Sequence, residues 1–282
     1  MDGRKMRVMR QSNAMRFGVT LALTLLTAAE GAGAQQRPPT TSPAPAATAP
    51  SAQQPGIEAD AVAILKAMSE KLAAAKTISF MAVNAYESPA VNGQPLYYTT
   101  VSQVMVERPD KLRVVTPGDG PPTEFYYNGK TMVAYDPAMN LVAITDAPPT
   151  IDAMVRAAYD KAAIYFPFVD FIVADPYKDI EASLKSAFLV GRSDVVGGAL
   201  TDMVAIAGDN VQAELWIGVN DKLPRMMRAV YPKDPAKNRY ETEFSNWVLN
   251  GEVDANAFVS ERALNAPRMD FKDPDTETPK KP

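Results

Sequence analysis

Between Val104 and Ile144, short runs of strand-forming residues follow one another with only turn residues between them. Val104–Glu107 ends at Arg108-Pro109-Asp110, and Lys111–Thr116 follows. Thr123–Tyr127 then leads through Asn128-Gly129 into Lys130–Tyr135, and Asp136-Pro137 precedes Asn140–Ile144. β-branched and aromatic residues bounded by Gly, Pro, Asn and Asp give antiparallel strands joined by tight turns. Asn128-Gly129 predicts a two-residue hairpin, because both positions tolerate positive φ. A chain with this centre folds as a mainly β protein.

The flanking segments extend the pattern. Ile57–Ala75 carries apolar residues at Ile57, Ala61, Ile64, Leu65, Met68 and Leu72, the stripe of one buried helix face. Thr77–Glu87 and Leu96–Glu107 read as strands around Asn92-Gly93. After Pro148-Pro149 the period changes to a helical one. Thr150 suits an N-cap, and Ile151, Met154, Val155 and Ala158 share a face. A second apolar segment, Ile164–Val173, is expected to hold a short helix opening near Pro167 and to stop at Asp175-Pro176. From Phe188 the chain is β again: Phe188–Val196, Leu200–Ala207, Val211–Val219, Leu223–Tyr231 and Arg239–Leu249, a meander of strands with short turns. The expected order is an N-terminal helix, six strands, a helical insert, then five strands. Eleven antiparallel strands of this kind curl into an unclosed barrel, and an insert between the two halves can cover its mouth.

Residues 1–34 read as a secretory signal peptide. Arg4, Lys5, Arg7, Arg10 and Arg16 precede an apolar run from Phe17 to Ala29, and Ala32-Gly33-Ala34 offers a cleavage site before Gln35. The Pro/Ala-rich stretch 35–56 lacks large apolar residues and reads as a disordered tether. A folded domain is expected over 57–272, with a disordered tail at 273–282. The location implied is the periplasm.

Composition excludes whole classes of function. The chain has neither histidine nor cysteine. Ser-His-Asp and Cys-His catalysis are impossible, as are thiolate and histidine metal sites, and no cysteine is present to be acylated. No catalytic residue, metal ligand or cofactor site is expected. The remaining carboxylates with suggestive spacing, Asp202, Asp209, Glu214, Glu241 and Glu243, read as a solvated sheet face. Of 29 basic and 33 acidic residues, five and two fall in residues 1–34; the remainder has 24 basic and 31 acidic residues, a net charge of −7. That balance argues against nucleic acid as a partner.

Several local motifs resemble the LolA/LolB-like superfamily of periplasmic lipoprotein carriers. They are Arg108-Pro109 at a strand end, Asn128-Gly129-Lys130-Thr131, Tyr135-Asp136-Pro137 with Asn140, Pro167-Phe168 in the insert, and Asp254–Phe258 ahead of Pro267. A nearer resemblance is to a family of predicted periplasmic proteins recorded as a domain of unknown function. It is carried by Arg108–Val114, Leu223–Met226, Tyr231–Lys237 and Glu243–Trp247. The superfamily resemblance implies a half-barrel whose helical lid covers an apolar cavity for acyl chains, and an arginine, here Arg108, that hydrogen-bonds to the lid and helps set its closed state. Ile151, Met154, Val155, Phe166, Phe168, Phe171 and Ile172 are then candidates to line the cavity or lid. They either fill a core or face a ligand. The function implied is that of a monomeric, non-enzymatic carrier for a hydrophobic or acylated ligand, with an envelope membrane protein as a possible partner. The alternative is an envelope sensor or protein-interaction module on the same fold.

Overall fold

The structure is a computed structural model that describes residues 56–117, 121–254 and 256–273. The expected signal peptide, nearly all of the tether, the turn at Gly118–Gly120 and the tail beyond Asp273 lie outside the described residues.

Helix α1 (Ala59–Ala73) buries Ala61, Leu65, Met68 and Leu72. It starts two residues later than its apolar stripe predicts. Ile57 instead makes a single parallel bridge to Ala187, and it is 54% exposed. The strands are β1 (Thr77–Pro89), β2 (Pro95–Glu107), β3 (Lys111–Thr116), β4 (Thr123–Tyr127), β5 (Thr131–Asp136) and β6 (Leu141–Asp146). The helical insert holds α2 (Ile151–Ala162), α3 (Val169–Ile172) and α4 (Pro176–Ser183). There follow β7 (Ser186–Ser193), β8 (Thr201–Ala207), β9 (Gln212–Gly218), β10 (Pro224–Val230) and β11 (Arg239–Leu249), then α5 (Glu261–Leu264) and β12 (Arg268–Met269).

All strands join one sheet in the order β12-β6-β5-β4-β3-β2-β1-β11-β10-β9-β8-β7. The order is linear, so the sheet is unclosed. It has twelve strands rather than eleven, because two residues after α5 pair with β6. That pair is parallel, a departure from the all-antiparallel sheet expected. The residues carry no strand pattern of their own; Pro267 O accepts from Val142 N and starts the pairing.

Pairing of β1 with β11, far apart in sequence, joins the two meanders. This pairing sends β6 and β7 toward opposite edges of the sheet, so the connection between them must cross its whole face. Alternation along β1 buries Ile78, Phe80, Ala82 and Asn84 on that face. The same face of β8 and β9 presents Val204, Ala213 and Leu215 to the core that α1 and the insert share. On the opposite face a smaller cluster of Tyr126, Val133, Tyr135 and Val142 is covered by Ala263 and Ala266 of the C-terminal segment.

Turn chemistry accounts for the hairpins. Gly129 has φ +86°, and a Cβ there would meet the Asp110 carboxylate. Asn128 Oδ1 accepts from the amides of Lys130 and Thr131 at 3.1 and 3.0 Å. The loop therefore spans three residues, not two, since the Asn128 side chain closes it around Lys130. Asp136 Oδ1 accepts from Ala138 and Met139 amides, and Tyr135 donates to Asn140 Oδ1 at 2.9 Å.

Candidate functional site

Cross-strand register arranges the covered face of the sheet in rows two residues apart along each strand. Ile78, Val106, Leu112 and Tyr127 form the first row, and Phe80, Val104, Val114 and Phe125 the second. The next is mixed: Phe244 and Ala82, then Ser102, whose hydroxyl lies 3.0 Å from that of Thr116. A polar row follows, Thr242, Asn84 and Thr100, all more than nine-tenths buried. Last come Tyr240, Tyr86 and Tyr98, with the latter two rings stacked at 5.6 Å. Apolarity thus falls off along the strands over about 26 Å, eight residues at about 3.3 Å each.

The insert seals the apolar rows. Thr150 caps α2 by accepting from Ala153 N, and Ile151, Met154, Ala158 and Ala162 face inward. Three phenylalanines after it each meet an aromatic ring of the sheet edge-on: Phe166 on Phe125 at 5.1 Å, Phe168 on Phe80 at 5.5 Å, and Phe171 on Phe244 at 4.8 Å. Trp247 stacks on Phe80 at 4.4 Å and donates to Pro224 O, so it senses the ring that Phe168 touches. Asp175-Pro176 ends the apolar segment, as expected, and also begins α4, which the sequence reading did not expect. Asp175 caps it, and the proline occupies the helix start, where its missing N–H costs nothing.

Few polar ties hold the insert down. Arg108, after the cis Arg108–Pro109 bond closes β2, donates from Nη1 to Ile172 O at 2.9 Å. Its Nε and Nη2 are buried without a partner. Burial lowers its pKa from the ordinary arginine value, opposed by the charge of Asp152 on α2. Asp152 accepts from Ala174 N. Ser69 of α1 accepts from Tyr177 N at 2.9 Å and donates to Asp175.

The seven apolar candidates separate. Ile151, Met154, Phe171 and Ile172 are at most 2% exposed and are part of the packed core. Phe166 and Phe168 line a cavity of about 110 Å³ against β1–β5. Phe171 also borders a cavity of about 170 Å³ against β8–β10. Val155 is half-buried and lines an open cleft on the outer side of the insert. An apolar cavity of about 150 Å³ holds benzene, so the two spaces beside Phe166, Phe168 and Phe171 admit small groups and no acyl chain.

The polar and tyrosine rows escaped the sequence reading. Their signal is present in the even positions of β1, which change from Ile78, Phe80 and Ala82 to Asn84 and Tyr86. Three of the five carboxylates singled out by spacing meet a cation. Asp202, expected to be solvated, is 5% exposed and bound by Arg192 Nε at 2.8 Å. Glu241 meets Arg228, and Asp209 meets Lys185. Among the described residues no group of three or more acidic side chains could hold a metal ion. No helix among them is long and apolar enough to cross a membrane.

Solved structures with similar chain paths include a complex of Pseudomonas aeruginosa MucA/MucB, at 17% identity and TM-score 0.41 over 72% of this chain and 61% of that one. The chain thus spans less than two thirds of the MucB length. LprF from Mycobacterium bovis is 16% identical with TM-score 0.42, covering 71% and 97%. A LolA superfamily protein from Nitrosomonas europaea is 7% identical with TM-score 0.33, covering 70% and 98%. None of the curated proteins matches the chain. The family model described as "Predicted periplasmic protein (DUF2092)" matches residues 61–272, nearly the whole described fold, and the chain belongs to that family.

Proposed function

We propose that this protein is a non-enzymatic periplasmic carrier for a hydrophobic or acylated ligand, exported by cleavage after Ala34 and acting as a monomer through the domain 57–272. One observation carries the reading: an apolar sheet face is covered by a separate insert whose phenylalanines pack edge-on against its aromatic rings while a handful of polar ties hold it. Lifting α3 and the segment before it would free the Phe80, Phe125 and Phe244 surface. An acyl chain entering there would gain about 0.8 kcal/mol per buried CH2. The insert is then a lid, and Phe166, Phe168 and Phe171 are exchanged for ligand. Arg108 is the lid tie, and its two unpartnered donors oppose burial, which favours reversible closure.

Native mass spectrometry with lipid extraction, on protein isolated from the periplasm, tests this. A copurified acyl compound supports it. Apo protein that binds neither acylated peptides nor fatty-acyl probes would refute it.

A further inference from the structure

The cavity of about 110 Å³ is not lined like a plain hydrocarbon pocket. Asn84 and Thr100 stand opposite each other on β1 and β2, and they are 4% and 5% exposed. Asn84 Oδ1 is taken by the Thr242 hydroxyl at 3.1 Å, which leaves the amide nitrogen as a free donor. Among the described residues neither that nitrogen nor Thr100 Oγ1 has a hydrogen-bond partner. They are also not sealed away: among the described residues only two atoms of Arg108 are both buried and partnerless. Both groups therefore open into the cavity they line. Both donors are therefore free to pair with a group that enters the cavity.

The charge of the cavity narrows what that is. No lysine or arginine lines it. Its one carboxylate, Glu124, already accepts from Tyr126 and Arg262. With Arg262 already paired to Glu124, the lining offers an anionic head group no cation of its own. A neutral acceptor would meet two donors.

We propose that Asn84 and Thr100 bind the uncharged carbonyl of an ester- or amide-linked amphiphile, the linkage itself rather than the chain or a free carboxylate. The proposal rests on the carrier reading. The acyl chain then runs from this row toward Phe80, about 13 Å along β1 at about 3.3 Å per residue, replacing Phe166 and Phe168. The tyrosine row, Tyr86 and Tyr98, flanks the head group on the outer side.

The test compares three probes on the full exported protein: 1-palmitoylglycerol, its ether counterpart 1-O-hexadecylglycerol, which lacks the carbonyl, and palmitate. Trp247 fluorescence in a Trp216→Phe background reports binding. The ester should bind about tenfold more tightly than the ether, the order expected of two net hydrogen bonds, and more tightly than palmitate. Thr100→Val, which breaks no bond within the protein, should lower ester affinity several-fold and leave the ether unchanged; Asn84→Leu should do the same. Equal affinity for ester and ether, tighter binding of palmitate, or a preference untouched by both substitutions overturns the carbonyl site and leaves the carrier reading standing. Binding of none of the three, and of no acylated peptide either, overturns the carrier reading itself.

Discussion

Arg108→Met sets two opposed effects against each other at one position. The substitution removes the bond from Nη1 to Ile172 O, a charge-assisted bond worth about 1.5–3 kcal/mol. It also removes two buried donors without partners, each costing about 1–3 kcal/mol while the lid is shut. Lifting α3 would rehydrate both donors. The middle of these ranges gives a loss of about 2 kcal/mol against a gain of about 4. The penalty wins, and the closed form of the methionine variant should be more stable by roughly 2 kcal/mol. Methionine keeps most of the apolar stem, and replacing a buried charge by an apolar group of similar volume is often stabilising. Hydrogen exchange followed by mass spectrometry should then show lid amides from 164 to 174 exchanging roughly 30-fold more slowly. The melting temperature should rise by about 4–8 °C if lid and sheet unfold together. Faster lid exchange with a lower melting temperature would refute the reasoning, since the single bond to Ile172 would then outweigh the two stranded donors.

Two further outcomes can be checked on the same protein. Tyr127, fully buried with its hydroxyl donating to Pro148 O, has its pKa pushed up to about 12, by burial first and Asp110 second. The folded form resists ionisation, so its contribution is complete below about pH 10, the unfolded value, and is lost as pH rises toward 12; Tyr127→Phe should flatten the fall in melting temperature across that window, and an unchanged profile would count against it. Phe168→Ala should cost about 3–5 kcal/mol as a core truncation, and the vacated volume joins the neighbouring cavity, so saturating benzene should restore part of the lost melting temperature; no recovery would mean that the lid collapses into the gap.

Much of the fold was legible because it is encoded locally. Thr150 as an N-cap, the strand over Thr77–Glu87 and the turns at Asn128-Gly129 and Asp136-Pro137 each depend on a few neighbouring residues, and the structure has all of them. Elements went unread where a local signal has two readings. Asp175-Pro176 both ends one segment and caps the next, and the cap is supported by contact with Ser69, more than 100 residues away in sequence. Strand β12 exists because an edge of β6 was available, a fact outside Arg268 and Met269 themselves.

The candidate site shows the same division. The apolar run Ile164–Val173 marked Phe166, Phe168, Phe171 and Ile172 as groups needing cover, since so many large apolar side chains require burial somewhere. What covers them follows from the pairing of β1 with β11, which places β6 and β7 far apart and draws the insert across the sheet. The buried state of Asp202, the stranded donors of Arg108 and the open donors of Asn84 and Thr100 are likewise consequences of assembly. Burial and hydrogen-bond satisfaction depend on neighbours brought from distant parts of the chain, whereas strand, turn and cap preferences are written in the backbone and side chains of a few adjacent residues.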